Sequence, residues 1–128
     1  MSYHFTRLLD MPFAEAVERV RSALKVEGFG VLTEIDVQKT LHDKLGVEFR
    51  NYRILGACNP PLAYRALQLE DKIGTMLPCN VIVQERAGGK AEVSAVDPVA
   101  SMQAVNNREL GDVAQAVRAK LEAVIAAL

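Results

Sequence analysis

Cys58 and Cys79 are the side chains of this sequence whose type and setting invite chemistry. Cys58 stands directly before Asn59-Pro60. That pair reads as a helix start, because Asn is a favoured N-cap and Pro fits the first helical position, where its missing N–H costs nothing. A thiol at such a junction is expected to face the positive end of a helix dipole and free backbone N–H groups. Both favour thiolate, the nucleophilic and metal-binding form. A small buried filler under the helix start accounts for the same residue without chemistry, since free cysteines are commonly buried. Cys79 opens the next strand within Leu77-Pro78-Cys79-Asn80. A redox pair requires the two Cα atoms within about 7 Å of each other, which sequence spacing does not decide.

Other polar residues carry weaker signals. Capping alone explains Asn59, whereas Asn80 sits in a strand, where Asn is disfavoured, and either satisfies a buried backbone group or contacts a ligand. Lys44, with Glu48 and Arg50 just beyond, reads as a solvated helix end whose cation complements the C-terminal dipole. Asp97-Pro98 reads as a strand terminator, and Glu85 pairs with Asp97 only if the hairpin register joins them. His4 and His42 are lone imidazoles, so the two His and two Cys show no metal-ligand spacing and no metal site is expected. Two cysteines without a CxxC motif exclude a zinc ribbon and a thioredoxin-type active site; in a reducing cytosol both are expected as thiols. No Gly-rich strand-to-helix loop is present to cradle phosphate, and no Gly-x-Ser-x-Gly elbow. No catalytic residue or cofactor is named by these patterns.

The elements that must position these residues follow from periodicity and punctuation. A short strand covers Tyr3 to Leu8. Asp10-Met11-Pro12 starts a helix in which Phe13, Val17, Val20 and Leu24 share a face, and Gly28 stops it. Phe29 to Ile35 alternates as a strand, with Phe29, Val31, Thr33 and Ile35 on one side and Leu32 and Glu34 on the other. Asp36 caps a short helix to Leu45, ended by Gly46. The next strand runs from Phe49 to Cys58, with Tyr52, Ile54 and Cys58 on one face and Leu55 and Ala57 on the other. A helix from Pro60 to Glu70 is expected to bury Leu62, Ala63, Ala66 and Leu67. Ile73 to Pro78 is an apolar connection. Cys79–Arg86 and Lys90–Val96 form a hairpin around Gly88-Gly89. From Asn107 a helix runs to the end, with Leu110, Val113, Ala114, Val117, Leu121, Val124, Ile125 and Leu128 on one stripe.

The order βαβαβαββα predicts an α+β two-layer sandwich, with a mostly antiparallel sheet of about five strands and helices on one face. Leu32, Leu55 and Ala57, or Val81 and Val83, leave the second face too apolar to be freely wet. A second copy of the chain is the expected cover, making a homodimer; a shallow ligand groove competes with it. The chain's 128 residues carry 15 Lys and Arg against 16 Asp and Glu, with half of them apolar. That length suits one domain over residues 1–128, and the apolar share excludes a disordered chain. The balanced, dispersed charge argues against nucleic acid as a partner. No apolar run approaches the roughly 20 residues that cross a bilayer, and the first residues lack the pattern of a secretory signal. A soluble, cytoplasmic protein without a membrane partner is expected.

Lys44-Leu45-Gly46-Val47, Tyr52-Arg53-Ile54-Leu55-Gly56-Ala57-Cys58-Asn59-Pro60 and Leu77-Pro78-Cys79-Asn80-Val81, followed by Asp97-Pro98 and Met102, resemble the bacterial and archaeal family known as domain of unknown function 302. The similarity spans nearly the whole chain. Thr75-Met76 departs from it, where two Leu-like residues are usual. The resemblance implies a compact α+β domain expected to dimerise, with no settled activity, substrate or cofactor. It marks Lys44, Cys58, Asn59, Cys79, Asn80 and Asp97 as candidate ligand-binding positions.

Three functions compete. The first is a dimeric binding module for a small polar or anionic ligand near the Cys58-Asn59-Pro60 helix start, where N–H groups are expected to converge. The second is thiol chemistry by Cys58 and Cys79, whether redox, sulfur transfer or soft-metal handling; neither His4 nor His42 is placed to assist it. The third is a structural dimerisation domain that recruits another protein.

Overall fold

Five alternating segments pair into one antiparallel sheet in the computed structural model, which describes residues 2–128. The strands are β1 (His4–Leu9), β2 (Gly30–Asp36), β3 (Tyr52–Cys58), β4 (Cys79–Arg86) and β5 (Lys90–Val96). Their order across the sheet is β1-β5-β4-β3-β2, and every neighbouring pair is antiparallel. The register aligns Leu55 with Val81 and Val81 with Ala95. One face therefore carries a continuous apolar floor in which Leu55, Val81, Val83, Val93 and Ala95 are fully buried.

Helices α1 (Phe13–Val26) and α5 (Arg108–Ala126) cover that floor. Their spacing of apolar residues puts Val17, Val20 and Leu24 of α1, and Leu121 and Val124 of α5, into one cluster with the sheet. Fully burying side chains of this size contributes about 1.5–3 kcal/mol each. A second, smaller cluster joins Ala66 and Ile73 to Leu110 and Val113, under helix α3 (Pro60–Leu69). The remaining helices are α2 (Val37–Leu45), capped by Asp36 through the Lys39 N–H, and α4 (Pro98–Ser101). Gly46 ends α2 in the left-handed region at φ 66°. A 3-10 turn covers Ile73–Met76.

Several expectations need correction. Leu55, Ala57, Val81 and Val83 point at the helices, so they are core and not the apolar surface of a second face. The uncovered face instead mixes Ile54 and Ile82 with Asn80, Glu92 and Ser94. Gln84 on this face is buried because Arg50 donates to its Oε1 at 3.0 Å and lays its guanidinium over the Phe49 ring at 4.4 Å. In β2 the pairing passes from Val31–Ala57 to Thr33–Gly56. Leu32 is thus an extra residue, and the bulge moves Thr33 and Ile35 to the face opposite Val31. Asp10 does not cap α1; Pro12 takes the cap position without a side-chain bond. Asp97 does more than end β5, for its side chain accepts from Val99 N–H at 3.0 Å and starts α4.

Glu34 ties three elements together, accepting ion pairs from Arg21 of α1 at 2.7 Å and Arg53 of β3 at 3.1 Å. Burial pushes its pKa up, and the two guanidinium groups outweigh that, holding the carboxyl below its ordinary value.

Candidate functional site: a sulfur-lined apolar cavity

The start of α3 is built differently from an anion cradle. Pro60 and Pro61 occupy its first two positions and bring no N–H. Leu62 N–H donates to Asn59 Oδ1 at 3.4 Å, and Ala63 N–H donates to the Asn59 carbonyl at 2.9 Å. The free donors expected beside Cys58 are therefore absent or already bonded. Asn59 also turns its Nδ2 outward to the Glu27 carbonyl, just past the end of α1, at 3.4 Å. Asn107 repeats this device at the other end of α3. Its Oδ1 caps α5 through Leu110 N–H at 3.2 Å, and its Nδ2 donates to the Leu69 carbonyl at 2.9 Å.

Pinned at both ends, α3 stands off from the ends of β3 and β4 and leaves a cavity of ≈ 340 Å³. Ala57, Cys58 and Cys79 form the sheet side of its wall. Leu62, Ala63 and Ala66 of α3 and Leu110, Val113 and Ala114 of α5 supply the helical part of its wall. The alanines are what keep the space open, since larger side chains on either helix would fill it. Leu32 from the bulge and Leu67 from α3 also line it while remaining 68% and 43% exposed. They mark a mouth open to solvent, which explains why Leu62, Ala63 and Leu67 are less buried than their spacing predicts.

Asn59 is the one nitrogen- or oxygen-bearing side chain on this wall, and both ends of its amide are engaged. Three sulfur residues share the wall: Cys58, Cys79 and Met102. Cys79 pairs across the ladder with Ala57, the residue before Cys58. A strand separation of about 5 Å and a rise of about 3.4 Å per residue put the two cysteine Cα atoms about 6 Å apart. Burial pushes the Cys79 thiol up to about 11, with the neighbouring Cys58 adding in the same direction. Cys79 is therefore a protonated thiol at neutral pH, not a standing nucleophile.

Of the six candidate positions, Cys58, Asn59 and Cys79 come together here. Asn80 does not. It is exposed and lines a shallow groove of the uncovered face with Tyr52, Gln84, Glu92 and Ser94. Lys44 is exposed on the last turn of α2 and does not line the cavity. Asp97 is buried and structural, paired with Arg118 at 3.3 Å as well as capping α4. Glu85 pairs with Ala91 near the turn of the hairpin, at the end remote from Asp97, so the two carboxylates do not meet. His4 bonds Thr6 Oγ1 at 2.6 Å, and His42 lies 3.6 Å from Asp43. Among the described residues no group of three or more His, Cys, Asp or Glu side chains could hold a metal ion. Among the described residues no helix is long and apolar enough to cross a membrane.

The sequence pointed to a polar site beside the Cys58-Asn59-Pro60 helix start and missed the apolar character of the cavity there. Ala63, Ala66 and Ala114 read as helix-face filler, and only the tertiary arrangement puts all three on the wall of one cavity. Met102 stood out as part of a pattern without a role.

The family model described as "Domain of unknown function DUF302" matches residues 5–128. Among solved structures, the chain is similar to an uncharacterized conserved DUF302 protein from Bacillus stearothermophilus. The two are 30% identical with a TM-score of 0.90, over 98% of each chain. No curated protein matches.

Proposed function

The chain belongs to the family of the domain of unknown function DUF302, a description that names no ligand, and from that premise we propose that it is a binding module for a compact apolar molecule. The observation that carries this reading is the ≈ 340 Å³ cavity whose wall has no charged side chain and no free amide or hydroxyl. Such a site favours a ligand by removing its surface from water. Hiding about 200 Å² of apolar ligand surface gains about 5 kcal/mol at about 25 cal/mol per Å². Association and ordering offset part of that gain, which sets the expected affinity in the millimolar range. An anion gains nothing comparable, because the N–H groups at the start of α3 are missing in Pro60 and Pro61 and bonded in Leu62 and Ala63.

The test is titration with a neutral solvatochromic probe, N-phenyl-1-naphthylamine. Saturable binding of one probe per chain is expected, with competition by small aromatic hydrocarbons and none by phosphate or sulfate. Ala63→Leu places a larger side chain in the cavity and should weaken the probe about 10-fold. Unsaturable binding, or equal affinity in Ala63→Leu, would discard the reading.

A further inference from the structure

The outer edge of β1 carries an inference separate from the cavity, none of whose lining residues lies on this strand. β1 and β2 are the two end strands of the sheet. The line of β2 is broken by the bulge at Leu32, and a bulge turns an edge away from further pairing. β1 has no such guard: it runs in unbroken register against β5 from His4 to Leu9 and holds no proline. Asp97 N–H donates to the Tyr3 carbonyl at 2.7 Å. Ladder bonds alternate along an antiparallel strand, so Phe5, Arg7 and Leu9 bond β5, while His4, Thr6 and Leu8 turn their N–H and C=O groups outward. At His4 the Ser2 hydroxyl engages both groups, at 3.0 and 3.3 Å. Among the described residues nothing bonds the outward groups of Thr6 and Leu8.

We propose that this edge pairs with the same edge of a second copy, across a two-fold axis at Thr6, joining the two sheets into one continuous antiparallel sheet. The side-chain pattern of the strand selects the second copy as occupant. Opposite residues share a face, so an axis at Thr6 sets Leu8 of each copy against His4 of the other. Leu8 is 52% exposed, and Tyr3, whose ring meets that of His4 at 4.9 Å, is 70% exposed. Each of these apolar groups gains its cover from the other copy. On the helix face Arg7 meets Phe5 and not its own charge. An axis at Arg7 would oppose two guanidinium groups, which destabilises. An axis at Leu8 would run Thr6 against Asp10, beyond the end of the strand. With the axis at Thr6, His4, Thr6 and Leu8 each exchange two main-chain bonds with their opposites, and Ser2 releases His4.

The experiment is sedimentation velocity of the whole chain from about 1 to 200 μM, with amide hydrogen exchange at both ends of that range. A reversible monomer–dimer equilibrium is expected, with the Thr6 and Leu8 amides exchanging about 10-fold slower at the high concentration. Leu8→Lys sets a charge on the edge and should weaken association about 10-fold. Thr6→Pro removes the outward N–H at the axis without touching a bond to β5, and it should abolish the dimer. Thermal melts report whether each variant is folded, and Leu8→Lys alone decides if the proline variant is not. A chain that stays monomeric throughout overturns the proposal. So does a dimer whose Thr6 and Leu8 amides stay unprotected and which Leu8→Lys leaves intact, since its contact would lie on the uncovered sheet face. Leu8→Lys should bind the naphthylamine probe as the parent does, so edge and cavity are tested apart.

Discussion

Gly56 has no room for a side chain. A Cβ built there would run into Thr33 Oγ1 and would lie 2.6 Å from Pro78 Cγ. The β2 bulge causes this, because it swings Thr33 onto the face above Gly56. Gly56→Ala should therefore cost about 1–3 kcal/mol by overpacking, read as a lower urea midpoint with unchanged slope. A variant as stable as the parent would mean that Thr33 and Pro78 yield freely. Cys79 supports a pH prediction. Its folded thiol is raised to about 11 from an ordinary value of 9.0, so the folded state prefers the protonated form. The resulting stability is fully present below about pH 9 and is lost as pH rises from there through 11, where the unfolded chain ionises first. The shift amounts to on the order of 2–3 kcal/mol. Cys79→Ala should show a shallower loss of stability between pH 9 and 11 than the parent; equal slopes would show that the thiol does not contribute. Neither residue's role was legible from its type. Gly56 depends on a bulge that alternation does not announce, and Cys79 depends on which face its strand turns to the helices.

At the scale of elements, two asparagines chain three helices together. Asn59 caps α3 and holds the end of α1; Asn107 caps α5 and holds the end of α3. Each side chain thus satisfies a donor of one helix and an acceptor of another. Asn59→Ala and Asn107→Ala should each cost about 1–2 kcal/mol. Asn59→Asp should recover only part of that, since a carboxylate keeps the cap and loses the donor to the Glu27 carbonyl. Hydrogen exchange locates the effect: α3 amides should exchange faster in either variant while those of β4 stay protected, and uniform loosening of the whole sheet would contradict it. The capping halves were legible, because Asn before Pro at the start of α3 and Asn ahead of the α5 stripe are local signals. So were α2, with Asp36 and Gly46 at its ends, and the Gly88-Gly89 hairpin. The bridging halves were not, since Glu27 and Leu69 are 32 and 38 residues from the asparagines that bond them. α1 was legible by its apolar face but not by its cap, where Pro12 stands without Asp10.

Across the whole molecule, the α+β order and the helix stripes were readable because burying apolar faces leaves few arrangements for five strands and three long helices. The identity of the second sheet face was not, because it turns on register. Nor was the apolar character of the cavity, which arises between the main core and the smaller cluster under α3, where small residues from two helices line one wall. A protein that leaves such a gap forgoes the dispersion contacts that closer packing would supply. If the gap serves a ligand, closing it should stabilise the fold at the expense of binding. Ala63→Leu is the direct trial: Ala63 is half-buried on the cavity wall, and the added side chain points into existing space instead of into packed atoms. Stability should rise by about 0.5–2 kcal/mol, measured as a higher urea midpoint, while affinity for the naphthylamine probe falls. The two changes must occur together in one variant. Loss of stability would show that the cavity is too narrow for the three carbons that leucine adds, and gain of stability with undiminished probe binding would place the probe elsewhere on the protein.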